Sequence, residues 1–259
     1  MVERNFRVDG KHPETNPAPR SLKGKDKMPL KKVIEGSNMY QEWVTHTHSH
    51  LGGECPHHCS YCYVQRNPHG VSPKYKGEPR LLEEELKVNY GSGKIIFIEH
   101  MNDMFADGIS DIWITKILHH CRNYFGNQYV FQTKNPQRAF EWKDYFPAKG
   151  IIGTTIETNR DTLGISKAPI TIHRYLGMKE LIKEGFPIFI TIEPIMDFDF
   201  NVLVNWMIDL KPSFVNIGAD SKHCGLPEPS PEKIRALITA LQKAKVPIKK
   251  KINLKRLGF

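Results

Sequence analysis

Two hydrophobic patterns alternate along most of the chain. Short unbroken apolar runs, such as "KIIFIEH" and "FPIFITIEP", are separated by segments whose apolar residues return every third or fourth position. The first pattern marks strands buried on both faces, the second amphipathic helices. Read in order, "EWVTHTH" predicts a short strand, "LLEEELKVNY" a helix and "KIIFIEH" a buried strand. "DIWITKILHHCRNYF" predicts a helix whose apolar face carries Ile112, Ile114, Ile117, Leu118 and Cys121. Further on, "YVFQT", "GIIGTTIE", "PIFITIE", "SFVNIG" and "VPIKKKI" read as strands. Between them "PQRAFEWK", "TIHRYLGMKELIKEG", "NVLVNWMIDL" and "SPEKIRALITALQKA" read as helices. Pro136 and Ser230 with Pro231 mark starts, and Gly185 marks a stop.

Strands that alternate with helices, and are apolar throughout, imply a parallel sheet covered by helices. The expected fold class is α/β, a partial (βα) barrel with about six to seven parallel strands. An open, doubly wound sheet is the alternative. In both, functional side chains belong just past the C-terminal ends of the strands. The expected domain covers residues 39–259. Residues 1–38, rich in Pro, Gly and Lys without an apolar period, read as a basic, partly disordered arm.

Composition changes this picture little: 39% hydrophobic and 25% charged residues are ordinary for a soluble globular protein. The apolar runs are far too short to span a membrane, and the first residues hold no apolar signal segment, so a cytoplasmic location is expected. Charge changes it more. The net charge is +9, and "KAKVPIKKKINLKRLGF" carries seven Lys and Arg with no acid. Basic clusters of this kind attract polyanions by releasing their counterions, so DNA or a nucleotide is the expected partner; the plain alternative is a solvated basic surface.

The densest chemistry lies in "GGECPHHCSYCYVQRNP", which begins at Gly52 and sets Cys55, Cys59 and Cys62 in a Cys-x3-Cys-x2-Cys array after the first strand. Such clustering, with Cys121 and Cys224 alone elsewhere, reads as metal or redox chemistry rather than a disulfide framework. Zinc with His57 or His58 as fourth ligand is one reading, though so short a loop wraps a single small ion awkwardly. An iron–sulfur cubane with one iron left without a protein ligand is the other.

"CPHHCSYCY" resembles the signature of the radical S-adenosylmethionine (SAM) superfamily, with Tyr61 as the aromatic before the third cysteine. The resemblance covers about residues 41–253. It implies a 4Fe–4S cluster on Cys55, Cys59 and Cys62, SAM chelated at the open iron, and an external one-electron reductant. Reductive cleavage of SAM then yields a 5′-deoxyadenosyl radical. The partial βα barrel is also that superfamily's fold. Two narrower groups share landmarks: the spore photoproduct lyase-like branch, through the cysteine spacing and the Tyr-Cys-Tyr run, and small phage-type radical SAM proteins. The second group matches at "NDMFADG", "TKNPQR", "IETN" and "IEP".

The resemblance also directs attention to the strand ends. Asn102 and Asp103, after "KIIFIEH", are candidates to accept the SAM ammonium, and Lys134, beside Thr133, to pair with its carboxylate. Glu157 and Asn159 stand where a ribose diol needs acceptors, and Glu193, Asp220 and Ser221 follow later strands. With Tyr61, the residues Asn102, Asp103, Thr133, Lys134, Glu157, Asn159 and Glu193 are the expected cofactor contacts. The glycines of "GGE" at Gly52–Glu54 precede the first cysteine and read as a turn. Tyr63 and Cys224 are the candidates for catalysis; the resemblance implies a hydrogen-donating cysteine, and a plain loop thiol is the alternative. His46, His48 and His50 alternate and so share one side of a strand, either lining the site, holding a second metal, or partly solvated. Alternation in the last strand sends Lys249 and Lys251 to one face and Lys250 to the other, and a lysine inside the barrel needs an anion, for which a substrate phosphate is the expected partner.

The expected function is hydrogen abstraction from a base or modified base carried on DNA, in a lyase- or isomerase-type repair, rearrangement or hypermodification. One alternative is the same chemistry on a protein or small molecule. Another is a nucleic-acid-binding module with a structural zinc or iron–sulfur site.

Overall fold

The computed structural model describes residues 30–36, 40, 43–67, 69–161 and 164–259. Most of the basic arm expected over residues 1–38 lies outside them. The described part opens on β1 (Lys31–Lys32), an edge strand antiparallel to β2 (His46–His48). A separate two-stranded ribbon pairs β3 (Leu51–Gly52) with β4 (Arg80–Leu81). There follow β5 (Ile95–Ile98), α1 (Asp111–Asn123), β6 (Gln128–Thr133), α2 (Pro136–Glu141), β7 (Gly150–Thr155) and α3 (Thr171–Lys183). The chain closes through β8 (Ile188–Ile192), α4 (Phe200–Leu210), β9 (Val215–Ile217), α5 (Pro231–Lys243) and β10 (Ile248–Lys250).

The main sheet runs β1-β2-β5-β6-β7-β8-β9-β10, and every pairing from β2 to β10 is parallel. These are seven parallel strands in sequence order, with no reversal of the kind that defines a doubly wound sheet. The sheet curls: Tyr40, from the segment before β2, lies under the Lys251 ammonium beyond β10, 4.4 Å from ring centroid to Nζ. The expected partial barrel is the fold.

Local signals set the helices where the sequence places them. Pro136 opens α2 and the Asn135 side chain accepts from Arg138 N at 3.3 Å; Ser230 and Pro231 start α5 in the same way. On α3, Gly177 allows α2 to pack close, since a Cβ there would lie 2.8 Å from Gln137 N. Two expectations fail. The helix read in "LLEEELKVNY" is β4 followed by a 3-10 turn over Glu83–Lys87, because ten residues between Pro79 and Tyr90 are too few to offset helix nucleation while Glu85 turns inward. On α1, Ile112 is 67% exposed; Ile114, Ile117, Leu118 and Cys121 form the buried face.

Both faces of the sheet are buried. Ile96, Ile98, Phe131, Ile190 and Ile217 pack outward against the helices. Phe97, Val130, Ile151, Phe189 and Phe214 point inward from the early part of their strands, where Trp43 and Tyr40 join them. Trp43 lies edge-on to Phe214 at 4.8 Å and to Phe189 at 5.5 Å. The lower barrel is filled with aromatic packing, which leaves the C-terminal half of the barrel for chemistry.

Candidate active site

Above the aromatic floor the inward positions turn polar. Tyr40 OH donates to Gln132 Oε1 at 2.7 Å and lies 2.9 Å from Thr191 Oγ1. Gln132 Nε2 donates to Thr155 Oγ1 at 2.9 Å, and Asn216 Nδ2 reaches Thr191 Oγ1 at 3.3 Å. This hydrogen-bonded layer forms the base of a cavity of about 570 Å³, within the size range of small-molecule sites.

One wall of that cavity carries Cys55, Cys59 and Cys62, with Tyr61 and Tyr63 between and beyond them. All three thiols are free and half-buried. The loop is held from two sides. Gly53 has φ +84°, and a Cβ there would lie 2.1 Å from Glu78 O, so the glycine pair gives both the expected turn and a close approach of the 73–80 segment. On the other side the segment after β7 lies against it: Ser60 N donates to Ile165 O at 2.8 Å, Lys167 N to His57 O at 2.7 Å, and Ser166 Oγ meets Cys59 Sγ at 3.1 Å. That second support has no signal in the sequence.

Asp103 joins the wall to the neighbouring strand ends. Its Oδ2 accepts from Thr133 Oγ1 at 3.0 Å and Lys134 N at 2.7 Å and pairs with His57 Nε2 at 2.8 Å, while Oδ1 accepts from Phe105 N. Burial alone would raise this carboxyl; His57 and the backbone donors reverse that and hold it below its usual range. Asp103 therefore positions the loop with donors from its own chain, and it lines the cavity as well. Asn102 lines the cavity and donates from Nδ2 to Gly53 O at 3.2 Å. His58 is exposed, 3.9 Å from Glu54. Neither histidine is arranged as a zinc ligand, and among the described residues no three His, Cys, Asp or Glu converge on an ion-sized point.

Lys134 lines the cavity from the end of β6, with Nζ 5.2 Å from the Tyr61 ring centroid and 2.8 Å from Glu157 Oε1. Glu157 is 2% exposed and lies behind Lys134, outside the cavity lining. It also accepts from Arg174 Nη1 at 2.8 Å and from Tyr61 OH. Burial would raise its pKa, but Arg174 and then Lys134 bring it down to about 2. Arg174, on α3 and 4% exposed, is the functional neighbour that the sequence did not disclose.

Glu193 lines the far wall, paired with Lys251 Nζ at 2.5 Å and Asn253 Nδ2 at 2.7 Å. Alternation does turn Lys249 and Lys251 inward, onto the Phe214 and Tyr40 rings, and Lys250 outward onto Phe259. The anion that meets Lys251 is Glu193, however, not a substrate phosphate. Burial works against the Lys251 charge, yet Glu193 holds its pKa above the ordinary value.

Two further candidates lie off the cavity. Asn159 bonds to Asp199 on the surface, beside Arg160. Cys224 is not in the lining, although Asp220, Ser221 and Lys222 just before it are; its backbone N donates to Asp220 Oδ2. Tyr63 reaches the lining, its hydroxyl bonded to His100 O.

The histidine run is not part of the site: His48 and His50 are buried, and His46 alone of the three is partly exposed. The register His48↔Ile98 turns its alternate positions to the outer, helix-covered face. His48 Nδ1 meets Tyr90 OH at 2.6 Å and Nε2 meets Glu85 at 2.9 Å; His50 meets Glu99 at 2.7 Å and His120 of α1 at 2.9 Å. Burial lowers His48 and His120 to about 4 and His50 to about 3, so this cluster is neutral at pH 7. The His46 side chain meets Thr45 Oγ1 at 2.8 Å.

No family model matches the chain, and no curated protein does. Solved structures do. A cysteine-to-serine mutant of spore photoproduct lyase superposes with TM-score 0.51 at 12% identity, over 73% of this chain and 59% of that one. A second mutant, with bound AdoMet and dinucleoside spore photoproduct, gives TM-score 0.51 at 12% identity over 87% and 72%. SuiB from Streptococcus suis, bound to S-adenosylmethionine, gives 0.52 at 11% over 77% and 48%. The chain shares their fold. It spans about three-fifths of the first of these proteins and half of the last. The likeness is one of fold, and it agrees with the α/β partial barrel expected from the sequence. No helix among the described residues is long and apolar enough to cross a membrane.

Proposed function

We propose that the chain is a radical SAM enzyme that acts on a base or modified base carried on DNA. The observation that carries this reading is the placement of Cys55, Cys59 and Cys62 along one wall of a cavity with room for a cofactor and part of a substrate. Three thiolates spread along a wall suit a 4Fe–4S cubane, which takes each cysteine at a different iron. Bound there with SAM and served by an external one-electron donor, such a cluster would supply radical chemistry for hydrogen abstraction. The chain's own residues bind and orient. Lys134 would meet the SAM carboxylate with the donors left beside its bond to Glu157, whose charge Arg174 also meets. Asn102 and Thr133 would bound the same end of the cavity. The hydrogen-bonded layer under the cavity and the filled barrel below it exclude bulk water.

Lys134→Met is expected to weaken SAM binding by about 1–3 kcal/mol, the worth of a charge-assisted bond in a partly buried site. Equilibrium dialysis on reconstituted protein reads it directly, and unchanged affinity would remove Lys134 from the site.

DNA as the carrier rests on the basic surface. Lys222 lines the cavity, Arg66 lies with it near Cys224, and Lys255 follows the lining residues Ile252 and Asn253 along the chain, whereas Arg256 is committed to Glu228 and Lys251 to Glu193. Filter binding across a salt series tests this. Neutralising Lys222 and Lys255 together should lower the salt slope by roughly two, about one for each phosphate that no longer meets a cation. Absence of DNA affinity at low salt, with the cluster intact, would turn the reading to a protein or small-molecule substrate.

A further inference from the structure

The far wall of the cavity is a built site. Glu193 follows β8 and Lys251 follows β10, at the other end of the strand order from the cysteines. Their side chains are 17% and 10% exposed. Asn253 fixes the carboxylate through Nδ2 and is itself fixed to Ala219, accepting from its N at 3.3 Å and donating to its O at 2.8 Å. Gly218 makes room, since a Cβ there would lie 2.7 Å from Glu193 Oε1. Below, Tyr40 supports the ammonium with its ring.

Because the ammonium already faces a carboxylate, the pair is neutral as a whole. A phosphate brought to Lys251 would sit against Glu193 at a like-charge cost. A neutral group that sets an acceptor beside an N–H meets no such cost. An ammonium carries three donors and a carboxylate accepts up to about four hydrogen bonds, so one such group can bridge both. Unpaired nucleobases present that edge: a carbonyl beside a ring N–H in keto bases, a ring nitrogen beside an amino group in amino bases. A base paired in a duplex has the edge occupied, which fits the need of buried chemistry for an unstacked base.

We infer that Glu193 and Lys251 are specificity-determining residues that read the acceptor–donor edge of an unpaired nucleobase, its acceptor on Lys251 and its N–H on Glu193. This assignment rests on the base-directed reading of the site. It moves Glu193 from the cofactor to the substrate, and it replaces a phosphate with a base as the partner of Lys251.

The test uses equilibrium dialysis of reconstituted protein saturated with SAM against thymidine, deoxycytidine, N3-methylthymidine and 2-deoxyribose 5-phosphate. Thymidine or deoxycytidine is retained, and which of them is tells a keto from an amino base. N3-methylthymidine, which lacks the ring N–H, is expected to bind at least about tenfold more weakly than thymidine if the keto edge is read, since a site built to pair a donor discriminates strongly against its loss. If the amino edge is read, N4,N4-dimethyldeoxycytidine shows the same loss against deoxycytidine. Deoxyribose 5-phosphate is not retained, and Glu193→Gln lowers nucleoside retention. Equal binding of the methylated and parent nucleosides overturns the assignment on unaltered protein, whatever the variants do. Loss of SAM affinity in Glu193→Gln with nucleoside binding intact overturns it too, returning the residue to the cofactor. Retention of no nucleoside by protein that still binds DNA overturns the assignment alone; failure to bind nucleosides and DNA alike overturns the base-directed reading with it.

Discussion

Alanine at Cys55, Cys59 or Cys62 abolishes retention of iron and sulfide after anaerobic reconstitution, whereas alanine at Cys121 or Cys224 leaves both in place. The unaltered protein is expected to hold about four irons and four sulfides, the content of one cubane. The effect is all-or-none because the cavity wall offers three thiols and no substitute: His57 is engaged with Asp103, and His58 lies exposed beside Glu54. Cys121 is buried on α1 and Cys224 stands in a loop outside the cavity lining, so neither can replace a missing ligand without moving the backbone. Metal analysis and the visible absorption of the reconstituted variants check this together. One zinc per chain and no iron would overturn the cluster, and with it the radical reading.

The cysteine loop was legible because its chemistry is local: three ligands within eight residues define a donor set before any fold is known. The strands were legible for a similar reason. A parallel strand covered on both faces is apolar at every position along the run, as Ile95–Ile98 and Ile188–Ile192 are nearly throughout. What the runs concealed was their inner face. Gln132, Thr155, Thr191 and Asn216 sit one per strand among apolar neighbours, and only the shared inward side of four strands gathers them into a layer. The histidines show the same limit in reverse. Their alternation was visible, but whether it pointed into the barrel or out depended on the register with β5. Glu157 was found at its strand end, yet its partner Arg174 lies on the following helix, and nothing in the spacing says that the two meet.

That hidden partnership carries the last large effect: Glu157→Gln is expected to cost about 3–5 kcal/mol of stability, since it leaves the Arg174 guanidinium buried without its counter-charge. Arg174 cannot turn to water, because its Nε donates to Pro169 O at 2.6 Å and its Nη1 to Thr155 O at 3.0 Å. Lys134→Met is the informative control. It removes the partner that lines the cavity and leaves the Glu157–Arg174 pair whole, so it should lower SAM affinity with little loss of stability. The pH dependence follows from the depressed Glu157 carboxyl. Its folded pKa is about 2 against an ordinary 4.5, so its contribution is fully present above about 4.5 and is lost as pH falls toward 2. A shift of that size corresponds to about 3 kcal/mol. Urea unfolding of the parent and the Glu157→Gln protein should therefore show a stability gap that is constant from pH 7 down to about 5 and narrows below it. A gap that stays wide under acid, or a Glu157→Gln protein as stable as the parent, would show that Arg174 does not depend on this carboxylate.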